Sequence, residues 1–449
     1  MHQSFGPGRA FVAQNFFLPA LVLTVSLSGC SGGSGAAPPS SVPEAGAGAL
    51  AAQRIMQSQS STGSRARATY RVLLLATLGG NTNNAASINA RSQITGWSLL
   101  KGNKVERAEL WRSHQAIDLG TLGGPNSSIV NYNHGTRGQF VGAAEVSQTD
   151  PYTENFCGFG TSHICLGFSW QNGKMTPLPT LGGNNAAADD VSNHGEVVGL
   201  AETSTQDKSC PPPQVLDYYG VIWKPNGKIV PLAPLSGDTV SQAYTMNRSG
   251  QTVGWSGLCN ALGAHALLWQ AGSTINLGTL GGHFNIAVDI NDSGQIVGDS
   301  DLSGDTATHA FLWQSGAISD LGTLPGDTNS YADGINEKGQ IVGSSCSASS
   351  CRGFLWQNGS MTDLNLLVPP NKNLYVVYAA DINDAGQIPA VALDRKGLQR
   401  GIVLIPDKNA TVLPAGASAP KFVAQQSLRI RPHNASVAPT TLRKSMFSR

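Results

Sequence analysis

The sequence predicts an all-β fold of repeated four-stranded antiparallel units, and three observations carry that prediction. A turn phrase of the form N-x-x-G-Q returns about every 44 residues, seven times in all. A strand ending in Trp follows it at a fixed place in six of the seven units. The residues between these landmarks alternate polar and apolar with period two and show no helical period. Self-similarity at this period marks a repeat architecture. Seven units of four short strands describe a seven-bladed β-propeller.

Each element follows from one unit. Residues 287–291 (AVDIN) alternate as a half-buried first strand. Asn291-Asp-Ser-Gly294 is a tight turn, because Asn bonds its own backbone two residues on and Gly supplies a positive φ. Residues 295–300 form the second strand, 309–313 (HAFLW) the third and 317–324 the fourth. The turn recurs at 89–93 (NARSQ), 133–139 (NHGTRGQ), 192–196 (SNHGE), 247–251 (NRSGQ), 336–340 (NEKGQ) and 383–387 (NDAGQ). The third-strand aromatic recurs as Trp111, Trp170, Trp223, Trp269, Trp313 and Trp356, with Leu404 in the seventh unit. Six tryptophans at one repeat position point to packing, since each ring buries ~150–250 Å².

The phrases HAF (309–311), TLGG and INxxGQIVG together resemble the extracellular HAF-repeat family of bacteria, over about residues 70–407. The resemblance implies export and a repetitive β architecture; it brings no activity with it. Three units depart from the pattern. Ser92 replaces the turn glycine of the first, two residues are added to the turn of the second, and Pro389 enters the second strand of the seventh.

Residues 1–29 read as a lipoprotein signal peptide. His2 and Arg9 precede a short apolar run, 16–27, ending in LSGC, which resembles a lipobox with Cys30 as the acylated residue. Ser31 after that Cys suggests the outer membrane, with the protein displayed at the cell envelope on its periplasmic face or the cell surface. Residues 30–68, rich in Gly, Ser, Pro and Ala, form a lipid-anchored flexible tether. The repeats occupy 69–414, and a fourth-strand-like segment at 70–75, ahead of the first unit, is expected to complete the last blade and clasp the ring. Residues 415–449 are a basic, unstructured tail. The whole chain has net charge +1 and 13% charged residues, which argues against nucleic acid as a partner. A monomer is expected.

Besides Cys30 there are six cysteines, all in connections between second and third strands, and in an exported chain they are expected to pair. Shared or neighbouring loops predict Cys157 with Cys165, Cys346 with Cys351, and Cys210 with Cys259. The same connections are long in units two and three: 28 positions from Gly142 to Trp170 and 24 from Gly199 to Trp223, against 15 from Gly298 to Trp313. Scaffold turns stay short and functional loops lengthen. These insertions hold Tyr152, Glu154, His163, Asp217, Tyr218 and Tyr219, aromatics beside carboxylates that suit a polysaccharide or protein partner.

Asp190, Asp289 and Asp381 share one position on the first strand, which lines a propeller's central channel; Ser87, Asn131, Thr245 and Gly334 stand there in the other units. Carboxylates around a channel suit Ca²⁺ or acid–base chemistry on glycosides. Tolerance of Ser, Thr and Asn favours a hydrogen-bonding role at the strand end. Asp299, Asp301 and Asp305 alternate like a calcium loop but lack the full pattern. His265 and His309 share a repeat position, which favours packing. No nucleophile elbow, zincin helix or phosphate loop is present, and no cofactor or catalytic residue is assigned. The expectation is therefore a binding or scaffolding propeller, set against two alternatives: an envelope hydrolase or lyase using the channel carboxylates, and a structural matrix component.

Overall fold

The computed structural model describes residues 69–407 except 113–114, 261–262 and 370–372. All of them belong to the compact unit Ser64–Arg449. The expected signal segment, Cys30, the tether and the basic tail lie outside the described residues.

The regular structure is β-strand except for one turn of 3₁₀ helix at Leu364–Leu366. Gly79–Ile88, Ile94–Leu100, Glu106–Arg112 and Gln115–Asp118 form an antiparallel four-stranded meander. The next consists of Ser127–Ser128, Gln139–Thr149, His163–Gln171 and Lys174–Pro177. It is followed by Gly182–Val191, Val197–Gln206, Leu216–Trp223 and Ile229–Leu232. Two further meanders start at Val240–Met246 and at Gly281–Ile290, and one parallel bridge from Ala264 to Phe284 joins them into an eight-stranded sheet. Asn329–Ile335, Ile341–Cys346, Cys351–Gln357 and Ser360–Asp363 make another meander. The last sheet contains Leu374–Ala379, Ile388–Asp394 and Gln399–Pro406 and takes its outer strand from the start of the domain, Tyr70–Leu74, with Tyr70 opposite Pro406 and Leu74 opposite Ile402.

The apolar clusters lie between neighbouring sheets, which is why strands flanked on both faces are buried. Leu110 and Ala108 pack with Phe140 and Phe168, and Val342 and Leu355 pack with Val376 and Ile388. Val403 of the last sheet packs with Ala85 and Ile88 of the first, so the packing order closes on itself. The result is a propeller-like all-β fold.

The repeat residues acquire physical roles. Trp111, Trp223 and Trp269 are buried, and each indole N–H donates to a carbonyl of the segment entering its own sheet, at Ala76, Pro179 and Ala233. Trp170, Trp313 and Trp356 are half-buried against the clusters of their own sheets, and Leu404 is fully buried. The second-strand glycine answers a close approach. A register shift between Ala287 and Asp289 swings the first strand inward, so that a Cβ on Gly298 would lie 2.0 Å from the Ile286 carbonyl oxygen.

The turn asparagine both closes its own turn and reaches the next sheet. Asn291 Oδ1 accepts from the Gln295 amide while its Nδ2 donates to the Asn336 carbonyl. Asn247 donates in the same way to Asn291, Asn336 to Asn383, Asn383 to Asn89 across the closure, and Asn89 to Gly135. The second and third units depart. Asn133 turns inward to the Val141 carbonyl, and Ser192 accepts from its own turn but has no amide to donate. The expected first strand of the second unit is reduced to Ser127–Ser128 because the chain beyond it bends inward as far as the lengthened turn.

Replacing Asn383 by Ala removes the acceptor for the Gln387 amide and the donor to Asn89. The expected cost is ~2–3 kcal/mol, a fall of about 2–5 °C in the thermal midpoint of a domain this size. Calorimetry with an unchanged midpoint would remove the inter-turn bond from the account of ring closure.

Candidate functional site

Two places gather functional side chains, at opposite ends of the strands. The first is a platform made by the long second-to-third-strand connections. Cys157 is bonded to Cys165 within one loop, Cys210 to Cys259 across two neighbouring loops, and Cys346 to Cys351 at a strand end. Hydrogen bonds continue the stitching. Gln206 Nε2 donates to the Tyr152 hydroxyl at 3.3 Å, Thr239 Oγ1 to Asp207 at 2.8 Å, and the Cys259 amide to Thr239 Oγ1 at 3.3 Å.

Beneath the platform is a buried acid cluster. Asn185 Nδ2 faces Asp150 at 2.9 Å, Glu154 at 3.2 Å and Glu202 at 3.1 Å, while its Oδ1 accepts from the Cys165 amide. Glu154 Oε1 accepts from the backbone amides of Val215 and Leu216 and from Gln214. Burial raises both Glu154 and Glu202, Glu202 to about 8, with each carboxyl facing the other across Asn185 and Gln214.

The buried cluster corrects part of the sequence reading. Glu154, Asp217 and Tyr218 are buried, not offered to a partner. Glu154 satisfies loop amides. Tyr218 lies inside strand Leu216–Trp223, edge-on to Phe156 at 6.4 Å. Burial pushes Asp217 up to about 6, with Asp207 adding to the effect. His163 is half-buried with Nδ1 at 2.9 Å from the Val146 carbonyl. Tyr219 is half-buried, and Tyr152, 40% exposed, is the one aromatic among the described residues on the surface to that degree. Leu258, beside Cys259, adds an exposed apolar side chain on a stitched loop.

The second place is the axis where the first strands converge. Asp190, Asp289 and Asp381 do meet there, around His134, which the sequence pattern does not single out. His134 Nδ1 lies 3.4 Å from Asp190 Oδ2, and Nε2 lies 3.6 Å from Asp381 Oδ2. Burial opposes a charge on His134, but Asp190 and Asp381 outweigh it and raise its pKa well above the usual value. Burial also works to raise Asp381, but His134, the Ile88 amide and the Ser87 hydroxyl hold it below the usual carboxylate range. Asp289 is pushed up to about 7 by burial, against the pull of His134.

These carboxylates also bind backbone: Asp289 Oδ2 accepts from the Ile335 amide and Asp381 Oδ2 from the Ile88 amide, each in the following sheet. Two tyrosines are buried beside these acids. Tyr132 is fully buried with its hydroxyl donating to the Asp333 carbonyl, and the Tyr378 hydroxyl donates to Asp333 Oδ1. The three channel carboxylates thus stand among buried polar side chains and hold backbone amides. Asp299, Asp301 and Asp305 are engaged separately, with the Ala332 amide, the Thr308 hydroxyl and His283, and do not form a common cation loop. His265 and His309 pair with Asp238 and Asp320.

The raised carboxylates fix the sign of a pH effect. Between the unfolded Glu value near 4.5 and about 8, folded Glu202 keeps a proton that the unfolded chain has lost, so its stabilising contribution is full below that window and fades across it. Glu109, Asp189 and Asp289, also raised, act with the same sign. The thermal midpoint should fall from pH 5 to pH 8, and Glu202→Gln, which mimics the protonated acid, should flatten that fall by up to ~1 kcal/mol per pH unit. A Gln variant with the wild-type slope would show that Glu202 is ionised in the fold.

No family model and no curated protein matches the chain. Among solved structures, the chain is similar to a gluconolactonase from Xanthomonas campestris (12% identity, 76% of this chain and 92% of that one, TM-score 0.35). It is similar also to TolB from Acinetobacter baumannii (12% identity, 72% and 65%, TM-score 0.39) and to a Trypanosoma rangeli sialidase (8% identity, 66% and 56%, TM-score 0.34). At these scores the likenesses carry no argument about activity.

Proposed function

We propose that the protein is a seven-bladed β-propeller of the cell envelope, lipid-anchored through Cys30, that binds a polysaccharide or an envelope protein through the platform of its second and third blades. The stitching of that platform carries the reading. Two disulfides, the Tyr152–Gln206 bond and the Asn185 acid cluster hold two long loops in one geometry. Rigid loops lose little entropy on binding, and an exposed aromatic on a fixed loop suits the face of a sugar ring or an apolar side chain. Tyr152, Tyr219 and Leu258 are the contact residues of this reading. Glu154 and Tyr218 support them from below. The disulfides accord with an extracytoplasmic location. A hydrolase or lyase at the axis has less support, because the carboxylates there are engaged by backbone amides and by His134.

The test uses the full chain on a glycan array and against separated envelope proteins. Tyr152→Ala should weaken capture roughly thirtyfold, about 2 kcal/mol, with an unchanged melting curve. Glu154→Gln should lower both capture and stability. Capture that is equal in wild type and Tyr152→Ala would move the binding surface off this platform.

A further inference from the structure

The axial cluster has a second reading that does not depend on the platform. His134, Asp289 and Asp381 each present one ligand atom, and these atoms all lie within 4.8 Å of one another. We propose that they form a site for one divalent transition-metal ion of the Zn²⁺ type, held by His134 Nε2 and one carboxylate oxygen each from Asp289 and Asp381.

The geometry is close to what such an ion requires. Bonds of ~2.1 Å in a tetrahedral site place neighbouring ligand atoms ~3.4 Å apart, and His134 Nε2 is 3.6 Å from Asp381 Oδ2. The surroundings supply the outer shell. A metal-bound imidazole directs its other nitrogen to a carboxylate, and His134 Nδ1 faces Asp190 Oδ2 at 3.4 Å. The Asp190 carboxyl is wholly buried and fixed for that task, since its Oδ1 accepts from the His134 and Val191 amides and its Oδ2 is left to the His134 ring. The ligand carboxylates are already aimed. Asp289 is held by the Ile290 and Ile335 amides, and Asp381 by the Ile382 and Ile88 amides and the Ser87 hydroxyl.

Charge points the same way. Buried aspartates surround a single imidazole, and one divalent ion there would satisfy carboxylate oxygens of two of them at once. A nitrogen donor selects Zn²⁺-type ions over Ca²⁺, which takes oxygen ligands, so the calcium considered from the sequence is the less suited ion. An ion also has a way in, because about a third of the His134 side chain is exposed.

The experiment strips the untagged full chain with chelator, titrates it with Zn²⁺ by calorimetry and measures bound metal after desalting. One ion per chain is expected. His134→Gln and Asp289→Asn should each weaken binding at least ~tenfold, while His283→Gln, in the exposed pair with Asp305, should bind as wild type does. Melting curves of the metal-free variants check that they fold. Should they not fold, wild type loaded with Co²⁺ serves alone: a visible band of a low-coordinate nitrogen–oxygen site, displaced by one equivalent of Zn²⁺, supports the site. Wild type without stoichiometric binding, or binding that survives in folded His134→Gln, overturns it and leaves His134 as a protonated bridge between Asp190 and Asp381.

Discussion

The structure depends on hydrogen bonds made from the inner end of one sheet to the inner end of the next. A first strand that converges on an axis has its outer edge paired and its inner edge bare, and bare amides in a buried place are costly. The turn asparagine and the first-strand aspartate share the task of satisfying them. Asn291 reaches the Asn336 carbonyl, and Asp289 reaches the Ile335 amide. An amide side chain suits the turn because it accepts from its own loop and donates to its neighbour at once. Ser87 at the same position accepts from the Asn133 amide, whereas Thr245 donates its hydroxyl to the Val288 carbonyl of the following sheet, so the strand end takes acceptors and donors alike. Gly334 is the exception for a steric reason, since a Cβ there would lie 2.9 Å from Asp381 Cα.

The ladder is interrupted at one place, and both candidate sites issue from the interruption. The second unit carries a turn with two additional residues, and the third has Ser192 where the donor asparagine would stand. Between them the linkage is made differently. The His134 amide donates to Asp190 Oδ1, and the Thr136 amide and hydroxyl donate to Asn193. The lengthened turn carries Tyr132 and His134 to the axis. At the opposite end of the same two sheets the loops lengthen, and there disulfides and buried acids replace the regular ladder as the stabilising element. The two deviations coincide in the same pair of sheets, which is where a repeat fold departs from pure scaffold.

Much of this is legible in the sequence because repetition exposes register. The Trp position, the turns, the loop shared by each cysteine pair and the common position of Asp190, Asp289 and Asp381 can all be read by aligning the chain with itself. What escapes is what repetition cannot show. His134 lies in the inserted residues of one turn, so it has no counterpart in the other units. Tyr218 reads as loop from the length of its insertion, though the alternation of Leu216, Tyr218 and Gly220 with Asp217, Tyr219 and Val221 belongs to strand Leu216–Trp223 and turns Tyr218 inward. Glu154 reads as solvated because loops usually are. Two long loops packed side by side have interior amides, and Glu154 of the second unit is the acceptor for those of Val215 and Leu216 in the third.

The buried acids of the two places therefore report different physics. In the platform, Glu154 and Glu202 are raised by burial and answered by neutral amide donors, which tie the loops to the strands. At the axis, Asp289 and Asp189 are raised by burial, yet Asp381 is held ionised by a single imidazole. Perturbed carboxylates of this kind often mark acid–base catalysis, and here they surround an imidazole next to the fully buried Tyr132. One nitrogen donor among carboxylate oxygens oriented by backbone amides is the donor set that the proposed cation would use. Burial acts on the acids of both places, and it is answered by amide donors at the platform and by an imidazole at the axis.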